Sequence, residues 1–149
     1  MHVLNRSARV CLMAALTVIV PVGCGPSAAG PESPEELKIM QISQLFHIYQ
    51  RGQKPPPQGI KDAESLQQVV PAAVAAIRSK EYIVYWGVGV SDGPEASSTV
   101  LAYQKDVPEK GGEVLMQDGT AKKMTADEFK AAKKPADGKL EDGTVARKK

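Results

Sequence analysis

The sequence predicts an α+β fold in which an N-terminal helix and shorter helices pack on a small, three- to four-stranded antiparallel sheet. Three observations carry this. Ser33-Pro34-Glu35-Glu36 opens a stretch of helical apolar spacing that stops at Gly52 and Pro55-Pro56-Pro57. Tyr82 to Val90 is rich in β-branched and aromatic residues, the composition of a strand. Glu113 to Met124 holds Asp118-Gly119 between two short strand-like runs, and Thr125-Ala126-Asp127-Glu128 follows at once as a capping box.

In the first helix Ser33 is the expected N-cap, Pro34 the first helical residue and Glu36 the partner of the cap. The helix should run to about Gln50. Leu37, Met40, Leu45, Ile48 and Tyr49 fall near one face, and Ile39, Ile42 and Phe46 widen the stripe, so it needs partners on more than one side. A second helical stretch is expected from Asp62 as N-cap, with Leu66, Val69 and Val70 facing inward. Pro71 should break it and begin a new helix over 72–79, because an interior proline costs about 3 kcal/mol. Ala73, Val74 and Ile77 would pack inward.

The strand at 82–90 is apolar on both faces up to Trp86, which predicts a central strand, and Gly87 and Gly89 mark a bulge or a close backbone approach. Thr99 to Gln104 reads as a second strand, with Val100 and Ala102 alternating against Leu101 and Tyr103. Lys105 to Gly112 is expected as loop. In the hairpin, Val114 and Met116 share a face opposite Leu115, and Asp118-Gly119 predicts a two-residue type I′ turn with positive φ at both positions. A helix over 126–133 closes the domain. The expected organisation is therefore a leader at 1–23, a tether at 24–33, one domain at 34–133 and a disordered polar tail at 134–149. Within that tail Glu141-Asp142-Gly143-Thr144-Val145 echoes Gln117-Asp118-Gly119-Thr120-Ala121.

Charge excludes one class of partner. The sequence has 19 Lys and Arg against 17 Asp and Glu, and its two-charge excess is supplied by Arg6 and Arg9 in the leader. Nucleic-acid binders show a basic face with stacking aromatics, and a balanced chain with few aromatics does not fit that pattern.

The leader is more informative. Arg6 and Arg9 precede an apolar run from Val10 to Val22 broken only by Thr17, the layout of a secretory signal. The run is about a dozen residues, whereas a helix needs roughly 20 to cross a bilayer. Pro21-Val22-Gly23-Cys24 then resembles the lipobox of bacterial lipoproteins, in which a small residue precedes the cysteine that is lipidated and becomes the new N-terminus. Gly23 and Cys24 match that pattern, while Pro21 stands where a leucine is usual. The resemblance implies lipidation at Cys24, membrane anchoring through the lipid, and a periplasm-facing place in the cell envelope. Residue 25 is Gly rather than Asp, so the resemblance implies no retention at an inner membrane. The alternative is an ordinary secreted protein cut near the same point. Cys11 lies within the leader, so Cys24 is the single cysteine expected in the mature chain, and no internal disulfide follows.

Catalytic chemistry is not expected. There is no phosphate-binding Gly-rich motif and no Gly-x-Ser-x-Gly. His47, the single histidine past the leader, sits beside an apolar stripe and reads as structural. Asp92, Glu95, Asp106 and Glu109 flank the two strands without the spacing of a calcium loop and read as solvated carboxylates, so neither a metal nor another cofactor is expected. Tyr85, Trp86 and Tyr103 are the candidate ligand-binding residues, since they could line a groove, although in an aromatic-poor chain they also fit a core.

Helix, Pro-rich stop, short helix and antiparallel strands ending in an Asp-Gly hairpin together resemble the globular head of type II secretion pseudopilins and related pilin-like proteins. Val114-Leu115-Met116-Gln117-Asp118-Gly119 is similar to the Val-Leu-Phe-x-Asp-Gly segment of bacterial pilin-like proteins with the H-x9-DG pattern. Pro108 stands where that pattern has its histidine, and the lipobox-like site replaces a prepilin leader. The resemblance implies a non-enzymatic envelope lipoprotein acting through protein contacts, as a structural or assembly part of a secretion or pilus-like system. Its partners would be envelope or secretion-system proteins. The alternative is a periplasmic module binding a small ligand or a cell-wall fragment.

Overall fold

In the computed structural model of the chain, residues 33–140 are described. The leader, Cys24 and the tether up to residue 32 lie outside the described residues, as does the tail from 141. The fold is α+β. Helix α1 (Pro34–Arg51) is followed by α2 (Ile60–Glu64) and α3 (Pro71–Arg78), then strand β1 (Tyr82–Val84). Strand β2 (Val100–Gln104), helix α4 (Val107–Lys110), strands β3 (Gly112–Met116) and β4 (Ala121–Met124) and helix α5 (Ala126–Ala131) complete it. The strands form an antiparallel meander in the order β1-β2-β3-β4.

Two cores lie on opposite faces of this sheet. On one face α1 and α3 bury Ile39, Ile42, Leu45, Phe46, Val74 and Ile77 against Tyr82, Val84, Trp86, Ala102 and Leu115. On the other, Phe129 of α5 meets Val100, Val107, Val114, Met116 and Tyr85. The side chains of β3 serve both, Val114 and Met116 on one side and Leu115 on the other, as the alternation predicts.

The caps are as the residue types dictate. Ser33 Oγ accepts from the Glu36 amide at 3.1 Å. At α5 the Thr125 hydroxyl accepts from the Glu128 amide at 3.2 Å while the Glu128 carboxylate accepts from the Thr125 amide at 2.7 Å. Pro71 begins α3, as expected of a residue with no amide to donate.

Several expectations need correction. Leu37 and Met40 are exposed, because the buried residues of α1 centre on Ile42 and these two point away from it. Helix α2 starts at Ile60, two residues before Asp62, whose carboxylate accepts from the Gln58 amide at 2.6 Å from within the helix. Val69 is exposed too; Val70 carries the burial. Strand β1 is neither long nor central. It ends at Val84, lies at the sheet edge, and gives way to Gly87 at φ +80°. Its two apolar faces reflect a helical layer on one side and the Tyr103–Phe129 layer on the other, not flanking strands on both edges.

The alternation drawn for β2 fails at Leu101. The pairing with β3 shifts between Val100 and Ala102, so Leu101 is the extra residue of a bulge. Leu101 and Ala102 therefore both join the α1 core, while Val100 and Tyr103 join the α5 core. The hairpin turn also differs. Positive φ occurs at Gly119 but not at Asp118, and the Met116 amide donates to Thr120 O. The loop is thus three residues, Gln117 to Gly119, the type I turn with a glycine bulge rather than type I′. Residues 134–140, expected to begin a disordered tail, are packed: Pro135 and Gly138 are buried, and Lys139 exchanges two backbone hydrogen bonds with Trp86. In the expected loop 105–112, α4 forms one turn with Pro108 in its first positions.

Candidate functional site

The three aromatic candidates do not share a groove. Tyr85 and Trp86 are consecutive in an extended segment, so their side chains leave opposite faces. Trp86 enters the α1 core at 2% exposure, and Tyr85 enters the α5 core at 5%. Tyr103 is half-buried between Tyr85, at 6.0 Å between ring centres, and Phe129, at 4.7 Å. Burial, and then contact with Tyr103, raises the Tyr85 phenol well above its ordinary value. Burial raises the Tyr82 phenol in the same direction, helped by Glu113, Glu81 and Glu35. These rings hold the sheet between its two helical layers, which is a packing role.

Two of the four loop carboxylates are engaged in surface pairs. Glu95 accepts from Lys133 at 2.5 Å, and Asp106 accepts from Lys110 at 2.9 Å. Both acids are held below the usual carboxylate range, in each case chiefly by the lysine hydrogen bond and then its charge. Among the described residues no group of His, Cys, Asp and Glu is arranged to hold a metal.

The feature that sequence reasoning missed is the outer face of α1. Leu37, Met40, Gln44, His47 and Arg51 recur at spacings of three and four, and so stand in one row along the helix. All are exposed except His47, which is half-buried. Leu37 and Met40 are 39% and 48% exposed and stand one turn apart on the same face. The three-four spacing itself was the available signal; it was obscured because nearly every turn of this helix also carries an inward apolar residue.

The row ends in a recess of about 380 Å³ between α1 and the hairpin, lined by Met40, Ser43, His47, Arg51, Gly119 and Ala121. Its floor is pinned by the Ser43 hydroxyl, which donates to Gly119 O at 2.9 Å. The His47 ring lies against the turn, so close that a Cβ on Gly119 would come within 2.7 Å of Nε2. Its other nitrogen, Nδ1, is 3.3 Å from Gln50 Oε1. His47 therefore wedges the hairpin onto α1, in line with the structural role expected for it. Chemically the face is apolar at its N-terminal half and polar with one cation at its C-terminal half. That is the make-up of a contact surface, an apolar centre beside polar groups that fix orientation.

No helix of the described residues is long and apolar enough to cross a membrane. Comparison with known proteins finds no matching family model, no matching curated protein and no matching solved structure.

Proposed function

We propose that this chain is a lipid-anchored, non-enzymatic envelope protein, and that it works as a structural or assembly part through the outer face of α1. The observation that supports the reading is the exposed Leu37–Met40 patch in the first turns of α1, a short way along the sequence from Cys24. The first helix is capped at Ser33, and the chain between Cys24 and that cap can span at most about 30 Å at roughly 3.3–3.6 Å per residue. A lipid on Cys24 thus holds the exposed apolar turn of α1 close to the membrane surface. The partner that fits is another envelope protein presenting a short apolar helix or strand at that same height. The pilin-like head that the sequence resembles implies the same kind of role.

The experiment is a pull-down of the tagged chain from detergent-solubilised membranes, comparing wild type with the double variant Leu37→Glu, Met40→Glu. The reading expects the wild type to retain secretion, pilus or other envelope components that the variant loses while keeping its melting temperature. Identical sets from both proteins, or lipidated protein alone from the wild type, would overturn it.

A further inference from the structure

We infer that the partner met by the outer face of α1 is an extended strand, alternating apolar and acidic residues, that adds to the open edge of β4. This rests on the reading of α1 as a contact surface and gives its occupant a form. Hydrogen-bond direction comes first. The Met116 amide donates to Thr120 O at 2.8 Å, and the register sets Val114 opposite Lys122 and Gly112 opposite Met124. Bonded and non-bonded pairs alternate in an antiparallel ladder, so the even-numbered residues of β4 turn their backbone groups to β3. Ala121 and Lys123 must turn theirs the other way. Strand β4 ends the sheet, both residues are exposed, and among the described residues neither has a backbone partner on that side. Two amides and two carbonyls therefore face solvent at the strand repeat of roughly 6.8 Å. Such a row is the template for an added strand.

This edge and the exposed row of α1 form one bed. Ala121 lies opposite Leu115, which packs in the α1 core, so its side chain points to the α1 side of the sheet. Met40 and Ala121 line the same recess. Helix and strand run in opposite directions: Ser43 bonds Gly119 at the turn, whereas Lys38 pairs with Glu81, just before β1, at the end of the sheet that Met124 occupies. Leu37 and Lys123 thus extend the two rows toward the same end. A strand laid on β4 would send every second side chain over Met40 and Leu37, and these should be apolar.

The side chains between them would fall on the other face, where Lys122 projects opposite Val114 and is exposed. Acidic residues suit that position, since opposite charges across a strand pair are stabilising. Edge lysines also discourage indiscriminate pairing, so a matching acid supplies selectivity. Two other occupants fit less well. A helix docked on α1 would cover the apolar row and leave the β4 amides and carbonyls unmatched. A second copy pairing through β4 would set Lys122 and Lys123 against their own counterparts.

The test uses the labelled mature chain in detergent and two end-blocked seven-residue peptides of valine and glutamate with the same composition. In one the residue types alternate; in the other the valines and the glutamates are grouped. Amide exchange is read at Ala121 and Lys123, with Val114 as the folding control, and chemical shifts are read at Leu37 and Met40. The alternating peptide should slow exchange at Ala121 and Lys123 by about tenfold or more and shift Leu37 and Met40, whereas the grouped peptide should do neither. Ala121→Pro and Lys123→Pro each remove an amide from the open edge and none from the β3 ladder. Both should keep the wild-type melting temperature and weaken binding by about tenfold or more, as should Leu37→Glu, Met40→Glu. No slowing with the alternating peptide, equal slowing with both peptides, binding that survives both prolines, or edge protection without peptide that rises with protein concentration would each overturn the inference. Shifts at Leu37 and Met40 with unchanged exchange at Ala121 and Lys123 would overturn the strand and leave α1 standing as a contact surface, which the pull-down tests separately.

Discussion

Substituting Gly119 tests the junction on which the hairpin and α1 depend. Gly119 sits at φ +84°, where a side chain costs roughly 1–2 kcal/mol. A Cβ there would also meet His47 Nε2 at 2.7 Å and Cε1 at 3.3 Å, so the imidazole must swing off its favoured rotamer. That adds about 1 kcal/mol. Gly119→Ala should then cost about 2–3 kcal/mol, which for a domain of this size lowers the melting temperature by roughly 8–15 °C. In a His47→Ala background the clash disappears and the backbone strain remains, so the same substitution should cost about 1–2 kcal/mol. The assay is thermal unfolding of the four proteins of this double-mutant cycle. An unchanged melting temperature for Gly119→Ala would refute the left-handed backbone at this position. Equal costs in the two backgrounds would refute the packing of His47 on the turn.

Other expectations follow from the same contacts. Phe129→Ala removes the main side chain that α5 contributes to the second core and should cost about 3–5 kcal/mol by chemical denaturation. Thr125→Ala removes the reciprocal cap and should cost about 1 kcal/mol, with the far-ultraviolet helix signal falling slightly. Stability should also fall in acid. Asp118 is lowered despite the opposing effect of its partial burial, because the Thr120 hydroxyl and amide both donate to it. Glu128 is lowered by the Thr125 amide and hydroxyl. Carboxylates lowered on folding contribute fully above their ordinary values of 3.8 and 4.5, and that contribution disappears as pH falls through their lower folded values. Melting temperature should hold steady from pH 7 to about 5 and drop below about 4, and Asp118→Asn should shallow that drop.

Local signals were legible in the sequence where the chain settles its own geometry. The Ser33 and Thr125 caps, the break at Pro71 and the facing of Val114, Leu115 and Met116 all depend on residues within a few positions of each other. The misreadings involve partners distant in sequence. Tyr82–Trp86 looked central because both its faces are apolar, yet the edge neighbour that Trp86 finds is Lys139. The bulge at Leu101 leaves no composition signal, since Leu101 and Ala102 are both apolar and both buried. The Asp-Gly pair marked the hairpin correctly but not its length, because Gln117 joins the loop while its amide is engaged by Thr99 O. The candidate site follows the same pattern. A cluster of aromatic residues suggested a groove, and the strand pleat divided Tyr85 from Trp86. The exposed row on α1 was written in the spacing of Leu37, Met40, Gln44, His47 and Arg51, but it becomes legible only once Ile42 and Phe46 are known to face the sheet.

Membrane anchoring is the claim on which the proposed role depends, and one measurement addresses it directly. The protein is purified from the membrane fraction of its host, and the N-terminal peptide of the mature chain is identified by mass spectrometry, with Cys24→Ala run in parallel. The account predicts a mature chain beginning at Cys24 that carries thioether-linked diacylglycerol, and a Cys24→Ala protein that is uncleaved or released from the membrane. An unmodified Cys24 within a soluble protein, or a Cys24→Ala variant that is processed and fractionates like wild type, would contradict it.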